Sequence, residues 1–158
     1  MAEVPMIRLV QGDRKRYMPL LLLADEQPEM VARYIDRGDM WVLTSKDASK
    51  DGVPAVAECL VTDEGAGVLE MKSLAVAPAH QGRGYGRALI EHVARTYAGR
   101  YRVLRVGTGD SPLTVPFYER CGFKRSHVVS HFFTDNYDHP IYEAGVQLVD
   151  MVYLVREL

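Results

Sequence analysis

The sequence predicts a mixed α/β domain: mostly antiparallel strands first, then a strand–helix–strand–helix unit, then a closing pair of strands. Three observations carry this. Residues 40–77 hold three runs rich in apolar and β-branched side chains, separated by turn-forming stretches. From residue 85 the period changes, with Leu89, Ile90, Val93, Ala94 and Tyr97 at helical spacing and Arg87, Glu91, His92 and Arg95 on the other face. Strand-like runs then return at 102–106, 123–130 and 146–155.

In order, Met6–Val10 reads as a first strand, and Asp13 caps a helix over 14–24. Pro28 opens a second helix to about Arg37, where Gly38 stops it. Met40–Ser45 and Val53–Thr62 pair across KDASKDG (46–52), whose Asp-Gly step marks a hairpin turn. DEGAG turns the chain into Val68–Ala77, ended by Pro78. A helix over 111–121 ends at Gly122. Ser111-Pro112 is a good cap and first-turn pair, but Pro116 has no amide to bond back to Pro112, so this helix kinks or starts only near Thr114.

Composition removes several functions. A chain of 158 residues, 47% of them hydrophobic, can bury one core without staples, and nothing divides it, so residues 1–158 are read as one domain. Nineteen Lys and Arg against 21 Asp and Glu give a net charge of −2, which does not support a general nucleic-acid surface. Cys59 and Cys121 form neither a disulfide framework nor a zinc set. His127, His131 and His139 lack the paired acid or thiol that would complete a metal site. No apolar signal core and no membrane-length apolar run occurs, so a cytoplasmic protein is expected.

The strongest local signal is residues 74–89, LAVAPAHQGRGYGRAL: a strand, a turn, three alternating glycines, a helix. Glycines let the backbone approach a ligand, and the first amides of a helix have no partner within it. Together they make a cradle for a pyrophosphate, to which Arg83 and Arg87 can add charge-assisted bonds. A Rossmann fingerprint fails because Arg87 stands where a small residue is needed, and a P-loop fails because no Gly-Lys-Ser/Thr follows.

The run Gln81-x-x-Gly84-x-Gly86, approached through Leu74-Ala75-Val76-Ala77-Pro78, resembles motif A of the GNAT N-acetyltransferase superfamily, which binds the pyrophosphate of acetyl-CoA. Phe117-Tyr118-Glu119-Arg120-Cys121-Gly122-Phe123 resembles that family's second landmark, in the matching order. The resemblance implies a central, mixed, mostly antiparallel twisted sheet of six to seven strands flanked by about four helices. It also implies acetyl-CoA as co-substrate, no metal, and direct acetyl transfer to a primary amine of an unidentified acceptor, small molecule or peptide. A homodimer is common among similar proteins.

Carried over residue by residue, the backbone of Leu74, Ala75 and Val76 would meet the pantetheine arm. Gln81, Gly82, Arg83, Gly84, Tyr85, Gly86 and Arg87 would hold the pyrophosphate, and Ser111, where many members have asparagine, would add a cofactor contact. Tyr118 matches the tyrosine that protonates the departing thiolate, and Glu70 sits where similar proteins often supply a general base. The other readings of these residues are a core aromatic for Tyr118 and a salt bridge to Lys72 for Glu70. The alternative for the whole chain is a CoA-binding regulatory or interaction domain without catalysis. A Gly109-Asp110-Ser111 esterase is the rival chemistry, but it lacks the late Asp-x-x-His. HFFTDNYDHPIYEAG (131–145) sets aromatics among Asp135, Asp138 and Glu143, and with Asp25-Glu26-Gln27-Pro28-Glu29 it could wall an amine site or simply plug the core.

Overall fold

The structure, a computed structural model, describes residues 5–45 and 55–158. The expected hairpin turn at 46–52 lies outside the described residues. Seven strands form one sheet in the order β1 (Met6–Leu9), β2 (Asp39–Thr44), β3 (Ala57–Asp63), β4 (Val68–Val76), β5 (Val103–Gly109), β9 (Met151–Glu157), β6 (Lys124–Val129). β4 and β5 run parallel, and the other neighbours are antiparallel. A separate hairpin pairs β7 (Ile141–Glu143) with β8 (Val146–Leu148).

Alternation of side chains across the sheet gives it two cores. On one face α1 (Met18–Ala24) and α2 (Pro28–Val31) bury Leu20, Leu21 and Val31 against Met40, Val42 and Leu60. On the other, α3 (Tyr85–Tyr97) and α4 (Val115–Arg120) bury Leu89, Ile90, Val93 and Tyr118 against Cys59, Met71 and Leu104. No helix among the described residues is long and apolar enough to cross a membrane.

Four expected boundaries shift, each for a local reason. The helix over 14–24 divides into a 3-10 turn, Arg14–Tyr17, and α1, because Pro19 lacks the amide a continuous helix needs. Asp13 does cap its start, accepting from Lys15 N–H at 3.0 Å. The helix expected to Arg37 keeps regular form only to Val31 and continues as turns to Gly38. The helix after β5 begins at Val115, with Thr114 rather than Ser111 at its cap, consistent with Pro112 and Pro116 both lacking amides. The strand expected over 146–155 is two strands, β8 and β9, because residues 131–145 fold back: Val149 C=O accepts from Phe133 N–H and Asp150 Oδ1 accepts from His131 N–H, both at 2.9 Å. That segment carries a further helix, α5 (Phe132–Asn136).

The feature that positions the site is a β-bulge in β4. Leu60 pairs with Ser73 but Val61 pairs with Met71, which leaves Lys72 as an extra residue. The parallel pairing of β4 with β5 ends at Met71–Val106, the same place. Beyond it β4 continues to Val76 along β3, while β5 continues to Gly109 along β9. The two parallel strands therefore diverge, leaving one edge of β4 uncovered inside the sheet.

Gly38, the residue just before β2, supports this region. Its φ is +55°, and a Cβ there would lie 1.9 Å from the Val61 carbonyl oxygen, next to the bulge. Gly38→Ala is expected to cost about 3 kcal/mol in urea unfolding, from left-handed strain plus a clash with backbone.

Candidate active site

The uncovered edge of β4 carries usable backbone groups. Ala77 N–H donates to Val56 C=O at 2.8 Å, so Ala77 faces β3. By strand alternation Val76 and Leu74 face the opening, and Gln81 Nε2 donates to the Val76 carbonyl at 3.1 Å. The chain then turns through Pro78–His80 into the glycine loop. Gly82 and Gly84 have φ of +79° and +82°, which glycine alone adopts without strain. Gly84 is the cap of α3, and its carbonyl accepts the first helical bond from Ala88 N–H at 3.0 Å. The amides of Tyr85, Gly86 and Arg87 precede that bond and point out of the helix end. Gly86 is buried, and a Cβ there would meet Phe117 Cζ at 3.3 Å, so α3 packs close to α4 because this residue is small.

A groove of about 470 Å³ runs along this edge, lined by Leu74, Ala75, Val76, Gln81, Gly82, Gly84, Tyr85, Gly86 and Arg87 from the predicted set. Arg83 is exposed and does not line it. Ser111 does not line it either: it is buried, and its Oγ accepts from Leu113 N–H at 3.2 Å. Thr114, which sequence reasoning took only as a helix start, lines the groove instead.

Where the strands diverge, the groove meets a cavity of about 390 Å³ lined by Lys72, Ser73, Gly107, Thr108 and Gly109. Tyr118, Thr114, Leu74 and Glu143 line both spaces. Tyr118 is buried edge-on to Phe117 and Phe123. Burial, helped by Cys59, Cys121, Glu58 and Glu143, holds its phenol above the usual range, so it stays protonated. The carboxylate of Glu70 is buried in an ion-pair pair of contacts, Oε1 with Arg105 Nε at 2.6 Å and Oε2 with Lys72 Nζ at 2.5 Å. It lines a third cavity of about 200 Å³ that adjoins the second through Asp25, Met71, Lys72 and Tyr137.

Residues 131–145 and the acidic loop do come together. Tyr137 Oη donates to Asp25 Oδ1 at 2.6 Å, Tyr34 Oη donates to Oδ2 at 3.4 Å, and Asp138 N–H donates to Gln27 Oε1 at 3.2 Å. Phe133, Ile141 and Leu148 form a small apolar cluster beneath this wall. Burial raises the Asp25 carboxyl, and the hydrogen bond from Tyr137 opposes that rise. His127 stacks on Tyr153, and His139 contacts Asp138 and Glu26. Among the described residues no group of three or more His, Cys, Asp or Glu could hold a metal ion.

Residues 36–125 match the family model "Acetyltransferase (GNAT) domain". The chain belongs to the GNAT acetyltransferase family. It is 30% identical over 154 residues to the uncharacterized N-acetyltransferase YvbK of Bacillus subtilis (strain 168), covering 96% of each chain. A GNAT acetyltransferase from Elizabethkingia anophelis, solved with acetyl-CoA bound, is 28% identical with a TM-score of 0.88, covering 98% of each chain. An IAA acetyltransferase from Bacillus cereus ATCC 14579 is 29% identical with a TM-score of 0.86, over 98% of this chain and 100% of that one. This GNAT protein uses acetyl-CoA as co-substrate and transfers its acetyl group to an amine.

The contact that joins the acidic loop to the 131–145 segment is testable alone. Tyr137→Phe is expected to cost about 2 kcal/mol in denaturant unfolding and to move the Asp25 carboxyl further up in an NMR titration.

Proposed function

We propose that the acceptor is a primary amine, that it enters through the cavity walled by Asp25, Tyr137 and Glu143, and that it attacks the thioester directly, without an acyl-enzyme. The observation that carries this is Tyr118, which lines both the coenzyme groove and the acceptor cavity at the point where β4 and β5 part. The amides of residues 82–87, at the end of a 13-residue helix, hold the pyrophosphate. The exposed edge of Leu74 and Val76 takes the pantetheine arm as an added strand.

That arrangement brings the thioester to the diverging strands. Leu74 N–H polarises its carbonyl, so charge developing on oxygen meets a fixed dipole. Collapse of the tetrahedral intermediate releases a thiolate, which takes the Tyr118 proton. Glu70 serves best as the anion that fixes Lys72 and Arg105. Both of its oxygens are ion-paired, so taking up a substrate proton means surrendering one of those contacts.

Tyr118→Phe is expected to lower kcat about 100-fold with little change in acetyl-CoA affinity, read from thiol release over a panel of amines and from calorimetry. Equal losses in both, or none, would reject the acid role. Thiol release by the panel also separates this reading from a coenzyme binder without catalysis. Gly84→Ala places a side chain at φ +82° and is expected to weaken acetyl-CoA binding about tenfold by calorimetry.

A further inference from the structure

β3 carries a carboxyl in the wrong place for a structural residue. Residues 57–61 are all buried, and Glu58 among them is fully so. A carboxylate out of water needs a cation or several donors. Among the described residues Glu58 has one hydrogen-bond partner: its Oε1 accepts from Ser73 Oγ at 2.6 Å, and its Oε2 has none. Replacing it by an apolar residue would remove that cost, so its presence calls for a use.

Ser73 supplies one. It follows the bulge residue Lys72, lies on the same sheet face as Glu58, and lines the acceptor cavity between Lys72 and Leu74. One hydroxyl thus separates a buried carboxylate from the space where the amine must lose a proton, beside the backbone that meets the thioester.

Resting on the acetyl-transfer reading above, we propose that Glu58 is a positioning base that deprotonates the acceptor through Ser73. The ammonium N–H passes its proton to Ser73 Oγ as Ser73 passes its own hydroxyl proton to Glu58 Oε1. The net change is ammonium plus carboxylate to free amine plus carboxylic acid, with serine unchanged. The amine lone pair so exposed attacks the carbonyl carbon.

The environment suits the task. Burial lifts the Glu58 carboxyl to about 8, against the lowering effect of the Ser73 hydrogen bond. The titratable groups that feel its charge are Tyr34 from the turn after α2, Cys59 beside it on β3, and Tyr118 from α4, all themselves pushed up. A base of this strength matches an amine far better than an ordinary surface carboxylate. Because the folded-state value is raised, Glu58 favours the fold below the ordinary carboxylate range, and that contribution is lost as pH rises through about 8.

The test compares wild type, Glu58→Gln, Ser73→Ala, Ser73→Thr and Tyr118→Phe for thiol release from acetyl-CoA with the amine panel between about pH 6 and 10. Wild type is expected to gain kcat/KM as pH rises through about 8. Glu58→Gln and Ser73→Ala should lose that limb and about 100-fold in kcat, with acetyl-CoA affinity kept. Ser73→Thr should restore both, and Tyr118→Phe should lose rate but keep the limb. Melting temperature supplies a readout independent of turnover: Glu58→Gln should gain on wild type as pH rises to about 8 and keep that gain, without further increase, above it. Retention of rate and limb in Glu58→Gln or Ser73→Ala would overturn the relay alone. A wild type that releases no thiol with any amine would overturn the acetyl-transfer reading and the relay with it.

Discussion

One extra residue in one strand organises this molecule. Lys72 has no counterpart on β3, and with that irregularity the hydrogen bonding between β4 and β5 stops. A sheet interior normally leaves no strand edge unsatisfied, because buried amides and carbonyls without partners are costly. Here the edge of Leu74 and Val76 is left open, and the groove and the larger cavity meet there at Leu74. The glycine loop, the capped end of α3 and the phenol of Tyr118 gain their meaning from facing that opening. The bulge also shifts side-chain parity, so Met71 and Leu74 share a core face although three residues apart.

Charge is distributed around the opening by degree of burial. Glu70 is buried and answered by two cations. Asp25 is half-buried and answered by two phenols. Glu58 is wholly buried and answered by a single hydroxyl. The less a buried carboxyl is compensated, the higher its affinity for a proton: Asp25 and Glu58 are both raised, Glu58, with one hydroxyl as its answer, to about 8. A single scaffold thereby holds one acid that anchors, one that ties two segments together and one that is poised to exchange a proton.

Much of this is legible in the sequence. The apolar and β-branched runs of β2, β3 and β4, bounded by turn residues, and the helical period of α3 are legible from side-chain type and spacing. The glycine loop is legible because its chemistry is local: positive φ, close approach and helix end lie within a few residues. Pro116 correctly foretells a late start for α4, near Thr114. What is hidden is set by distant partners. Nothing local says that residues 131–145 split the last strand, since that depends on Val149 and Asp150 receiving bonds from the returning chain. Glu70 reads as base or ion pair from its neighbour Lys72 alone, and Arg105, which the fold brings to it from β5, is not visible in the local sequence. Glu58 carried an overlooked signal: an acid inside an otherwise apolar strand demands an explanation.

The small cluster of Phe133, Ile141 and Leu148 is distinct from the two main cores. It leans on the sheet at Gly109, where any side chain would strike Leu148 within 2.6 Å. The molecule therefore packs these three side chains as a unit of their own, apart from the cores that hold the sheet. Changes to Phe133, Ile141 or Leu148 reshape the larger cavity, whose wall all three form, while the groove along β4, which none of them lines, keeps its shape.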